Sequence, residues 1–148
     1  MGYVSPDVIV TNAAFSLPHA TPYHFGILTS RLHMAWMRVV VGQLRDDYRY
    51  SNTIVYNNFV WPKSPPWHVQ KIDRAAQKIL DVLAKYSNCS FADLYDEVSM
   101  PRDLRRAHQE NDAEVMEAYG LPENMEEMDM VMHMFKLCYE ATGQEMPQ

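Results

Sequence analysis

The chain has 148 residues, 47% of them hydrophobic, a formal net charge of −6 and two cysteines. That composition suits a folded domain and excludes a disordered, fibrous or disulfide-framed protein. No apolar run approaches the ~20 residues of a membrane span, and the N-terminus lacks the basic-then-apolar layout of a secretory signal; a cytoplasmic protein is expected. Cys89 and Cys138 stand far apart with no paired Cys/His spacing, so they suggest reduced thiols rather than a zinc site. The charge is unevenly spread: residues 1–80 hold eight Lys or Arg against four Asp or Glu, and residues 81–148 hold five against fifteen. A basic first half suits a nucleic-acid face, while an acidic second half would be repelled by phosphate and should face another protein surface or solvent.

In chain order, Val4-Ser5-Pro6-Asp7 leads into a short β segment over Val8-Ile9-Val10, and Ala13 to Leu17 suggests a second. Two strands do not make a stable sheet, so upstream sequence is expected. Thr21-Pro22 is a helix start, a capping hydroxyl followed by proline. The apolar positions Phe25, Leu28, Leu32, Ala35, Trp36, Val39 and Val40 predict one long helix ending at Gly42. Sevenfold spacing would put His24, Arg31 and Arg38 on one face of that helix.

A charged, aromatic stretch follows, Gln43 to Ser51, and then Thr53-Ile54-Val55-Tyr56, a β-branched run that suggests a strand. Trp61-Pro62-Lys63-Ser64-Pro65-Pro66 is a stiff connector, and a domain boundary is placed there, giving segments 1–62 and 63–148. Beyond it the sequence is all-helical. Val69, Ile72, Ala75, Ala76, Ile79, Leu80 and Leu83 predict a helix to about Tyr86, Ser90 caps a short one, Ser99-Pro101 opens another to Tyr119, and a last one runs from Glu123 to Thr142. The expected fold is therefore α+β and mostly α: a partial sheet with one long helix, then a bundle of about four helices.

Several patterns bear on chemistry. Ser64-Pro65-Pro66-Trp67 has the form of the catalytic tetrapeptide of amino-methylating DNA methyltransferases, but that chemistry requires a parallel strand before it and a glycine-rich cofactor turn beside it. The sequence holds no GxG, and the two prolines serve more simply as a helix start. The histidines at 19, 24, 33, 68, 108 and 133 lack the i, i+4 pairing of a helical metal site, so no metal is expected. Met125, Met128, Met130, Met132 and Met134 serve as core filler, or on an exposed face as a docking surface. Arg45, Asp47 and Arg49 form an Arg-x-Asp-x-Arg set: arginine can donate two hydrogen bonds to guanine and aspartate can accept from the cytosine amine, whereas an ordinary surface ion pair is the simpler alternative.

The runs Phe25 to Trp36, Asp47-Tyr48-Arg49-Tyr50-Ser51 and Val55 to Pro62 resemble the end of the target-recognition domain of MmeI-like DNA methyltransferases, single-chain type IIL restriction-modification enzymes and their relatives. Ala92 to Asp96, Met100-Pro101 and Leu104 to His108 resemble the helical domain that closes the same proteins. The resemblance implies a fragment of an adenine-N6 methyltransferase that binds double-stranded DNA, has no catalytic residues of its own, and contacts the missing methyltransferase domain. It also implies that S-adenosylmethionine is held by the parent enzyme and no cofactor by this fragment. The expected DNA-binding residues are Arg45, Asp47, Tyr48 and Arg49, with Arg31 and Arg38 on the basic face. The alternative is a helical protein-interaction module that makes no DNA contact.

Overall fold

In the computed structural model the described residues are 16–41 and 55–143, together with Tyr3, Asp7 and Ile9. They contain six helices: α1 (Pro22–Thr29), α2 (Arg31–Val41), α3 (Pro66–Lys85), α4 (Phe91–Leu94), α5 (Arg102–Ala118) and α6 (Glu127–Thr142). The expected α+β class is thereby corrected, because no strand or sheet occurs among the described residues. Ile9 is exposed and lies outside regular structure, and most of the two expected N-terminal strands lies outside the described residues. Val55 and Tyr56 sit in a helical turn rather than a strand. Val55 is fully buried and its carbonyl accepts the Trp36 indole N–H at 3.2 Å; packing and that bond override the β preference of a branched side chain. None of the described helices is long and apolar enough to cross a membrane.

The long first helix is also corrected, for it breaks at Ser30, whose ψ of 155° is extended. Thr29 and Ser30 carry hydroxyls that turn back on the chain, Thr29 Oγ1 donating to the Phe25 carbonyl at 2.8 Å and Ser30 Oγ to the Ile27 carbonyl at 2.7 Å. Such side-chain bonds compete with helix propagation. The Ser30 amide pairs with the Ile27 carbonyl, and the Gly26 carbonyl accepts from Asn111 Nδ2 of α5 at 2.8 Å. The first turns of both helices are met from another helix. Asp73 of α3 accepts the Tyr23 amide at 2.6 Å, and Asp112 of α5 accepts the Arg31 amide at 2.9 Å, placing negative charge where the helix dipole favours it.

Two apolar clusters form the core, and each mixes residues from both sides of the proline connector. One joins Ile27, Leu32, Trp36, Met37, Val55 and Phe59 to Ile72, Val115, Met116, Met130 and Met134. The other sets Phe25 against Ala76, Ile79, Val82, Leu94, Leu104 and Ala107. Gly26 marks the tightest crossing. A Cβ there would lie 2.7 Å from Asn111 Oδ1 and 2.9 Å from Ile72 Cγ2, so the absence of a side chain is what lets α1 approach both α3 and α5. α3 starts at Pro66, as the prolines predict, and four helices, α3 to α6, occupy the second half as expected, except that α6 begins at Glu127 rather than Glu123.

Candidate nucleic-acid interface

The expected base-reading residues Arg45, Tyr48, Asp47 and Arg49 lie outside the described residues. The described residues do define the roots of that segment. On one side α2 buries Ala35, Trp36 and Met37 up to Val41; on the other the chain is anchored at Val55 and Phe59, both buried in the same cluster as Trp36 and Met37. Phe59 meets the buried His33 ring edge-on at 4.5 Å, and Trp61 packs against Tyr23, His24, Tyr56 and Phe59. The Tyr119 hydroxyl, from the end of α5, donates to the Val60 carbonyl at 2.8 Å. Burial, with Tyr23 nearby, raises the Tyr119 pKa, so it stays a neutral donor. The two ends of that segment, at Val41 and at Val55, are thus held against one core.

Arg31 and Arg38 share one face of α2; Arg31 faces the segment between α5 and α6, and Arg38 the first residue of α6. Arg31 donates from Nη1 to the Glu123 carbonyl at 3.0 Å and from Nη2 to the Met125 carbonyl at 2.7 Å. Arg38 Nη1 meets Glu127 Oε1 at 2.7 Å. Both arginines therefore brace α6 against α2, while the Arg38 side chain keeps 40% of its surface exposed. His24, expected on the same face, belongs to the separate helix α1, where its Nδ1 accepts the Thr21 amide at 3.1 Å.

Beneath Arg31 lies an open pocket lined by Arg31, Gln109, Asp112, Glu123 and Asn124. Burial pushes the Asp112 carboxyl up to about 6, opposed by its bond to the Arg31 amide and by the Arg31 charge. Burial alone depresses His33 to about 4, so that ring is neutral at physiological pH. The acidic residues of α5 are partly neutralised by α3, Lys71 pairing with Glu114 and Glu117, and Lys78 with Glu110. On α6, Met130 and Met134 are buried while Met128 and Met132 are exposed. The Ser64-Pro65-Pro66-Trp67 tetrapeptide opens α3, with the Trp67 ring stacked on His68 at 4.8 Å. Gly26 is closed in by side chains, and Gly120 and Gly143 adopt the φ of +68° that terminates a helix.

What sequence reasoning missed is the set of distant polar contacts, Asp73 to Tyr23, Asp112 to Arg31 and Asn111 to Gly26, which span fifty to eighty-five residues. Only the mid-helix glycine at 26 signals a close approach in the sequence.

Comparison with known proteins matches residues 1–63 to the family model for the MmeI target recognition domain and residues 64–144 to that for the MmeI C-terminal domain. DNA methyltransferase A of Bacillus subtilis (strain 168) is 34% identical over 142 residues, which is 96% of this chain and 16% of that protein. The solved structure of the type IIL restriction-modification enzyme MmeI in complex with DNA is similar with a TM-score of 0.81 and 38% identity, over 85% of this chain and 17% of that one. The chain thus spans about one sixth of the length of these relatives.

Proposed function

This chain belongs to the MmeI family, and on that footing we propose that it is the DNA-recognition end of a restriction-modification methyltransferase that acts on the adenine amine. The observation that carries the reading is the match of residues 1–63 to a target-recognition domain, supported by the similarity to an enzyme solved in complex with DNA. In this reading the segment holding Arg45, Asp47, Tyr48 and Arg49 faces base edges, where arginine and aspartate side chains select a G·C pair. Arg31 and Arg38 hold α2 in place, and the exposed part of the Arg38 side chain is available to meet phosphate, which sets register without reading sequence. Methyl transfer belongs to a methyltransferase domain of the same polypeptide in the cytoplasm. S-adenosylmethionine supplies the methyl group there, and the acidic helices of this chain are suited to face the remainder of the enzyme.

The test has two arms. Methylation mapping of cells carrying the full-length enzyme is expected to show one fixed G·C position in the site, relaxed or changed by Arg45→Ala; a site unaltered by that substitution removes Arg45 from recognition. Titration of this chain with short duplexes at low salt is expected to give weak, salt-sensitive binding in the roughly 10⁻⁴ to 10⁻⁶ M range of non-specific contacts, reduced by Arg49→Ala. A rival reading, in which the chain only docks a protein partner, draws on the exposed Met128 and Met132 of α6. It predicts that duplex affinity is indifferent to Arg45 and Arg49.

A further inference from the structure

The histidines show no metal spacing along the chain, yet the fold brings one of them to a pair of carboxylates on another helix. His68 lies in the first turn of α3. Glu114 and Glu117 lie three residues apart on α5, hence on one face. The His68 ring is 4% exposed, and its Nε2 has no hydrogen-bond partner; it points toward Glu117 Oε2, 3.7 Å away and beyond hydrogen-bonding distance. Glu114 Oε2 is buried and makes no hydrogen bond, its charged neighbour being Lys71 Nζ at 3.4 Å. One nitrogen and two carboxylate oxygens lie within 4.8 Å of one another. A buried imidazole nitrogen left unpaired costs free energy, and one aimed at carboxylates is relieved by a cation that both kinds of atom can bind.

We infer that His68, Glu114 and Glu117 form a binding site for a divalent transition metal, with zinc the best match, cross-linking α3 to α5. One imidazole nitrogen with two carboxylates is a donor set for zinc and its neighbours, whereas calcium and magnesium take oxygen alone. Bonds of about 2.0 to 2.2 Å to each atom require the three to close by about 1 Å or more from their widest separation. Exposed Glu117 can supply that movement. Three protein ligands leave a fourth position for water on the solvent side.

Lys71 is the competitor. Its Nζ lies 2.9 Å from Glu117 and 3.4 Å from Glu114, so the ammonium serves as the cation between the carboxylates. Lys71 has a second seat on a flexible stem, since the same Nζ is 5.5 Å from the centroid of the Trp67 ring. Metal entry would shift it toward that ring.

This competition gives substitutions of opposite sign. Zinc titrated into the chain against a chromophoric chelator is expected to bind one to one and to raise the unfolding temperature. Glu117→Gln, at an exposed position, should weaken binding by at least about tenfold, and Lys71→Met should strengthen it by freeing the carboxylates. The His68 Nε2 resonance should shift with one equivalent of zinc, a change that needs no substitution at a buried residue. An absence of one-to-one binding, equal affinity in Glu117→Gln, or weaker binding in Lys71→Met would each overturn the site and leave an ion-pair cluster only.

Discussion

The crossing of α1 with α3 and α5 and the layer between α2 and α6 are built on opposite principles. At the crossing, Gly26 and Ala76 permit close backbone approach, and polar side chains from α3 and α5 take up backbone groups at the start of α1 and on either side of the break at Ser30. In the layer, Trp36 meets Phe135 edge-on at 5.0 Å, with Met37, Met116, Met130 and Met134 filling the space around them. Thioethers adapt to irregular gaps. A crossing of small residues and directed bonds has no such slack, so geometry is specified at one place and filled at the other.

The difference can be broken most forcefully at Gly26. Gly26→Val sets branched carbons against Asn111, Ile72 and Ala76 and is expected to cost about 3 kcal/mol, at the upper end for overpacking. Chemical denaturation would measure it, and a loss under about 1 kcal/mol would mean that the crossing yields as readily as the methionine layer.

The next effect is electrostatic. Asp112, raised to about 6 from its ordinary 3.8, is more readily protonated when folded, so its contribution is fully present below pH 3.8 and lost as pH rises through about 6. His33, lowered from 6.5 to about 4, works the other way: its contribution is present above pH 6.5 and lost as pH falls toward 4. The two oppose each other between pH 4 and 6. Asp112→Asn keeps an oxygen for the Arg31 amide and removes the buried charge. It is expected to stabilise the protein at pH 7 by on the order of 1 kcal/mol, and to leave the His33 loss unopposed, so stability falls more steeply on acidification. Unfolding free energies across pH 4 to 7.5 with a slope unchanged from wild type would contradict this.

The smallest effect belongs to the layer. Met134→Leu conserves volume beside Trp36 and should cost under about 1.5 kcal/mol. A loss as large as that of Gly26→Val would show that the methionines specify the packing rather than fill it.

Much of the second half was legible because its helices carry local signals, the start of α6 at Glu127 rather than Glu123 excepted: Pro66 opens α3, Ser90 accepts the Asp93 amide at α4, and Gly143 closes α6 with a φ of +68°. The first half was less so. The apolar period runs unbroken through Thr29 and Ser30, and a pattern of side chains carries no record that two hydroxyls bend the backbone between them. The run ending Val55-Tyr56 has a strand's composition, and only a tryptophan nineteen residues away decides that it turns.

The family, the helical second half and the residues offered as the base-reading set follow from the sequence alone, since they rest on ordered local motifs. The break at Ser30, the helical turn at Val55 and the meeting of His68 with Glu114 and Glu117 were decided by tertiary structure. Each depends on side chains distant in sequence that approach to a few ångströms, and linear spacing carries no information about which helices will pack together.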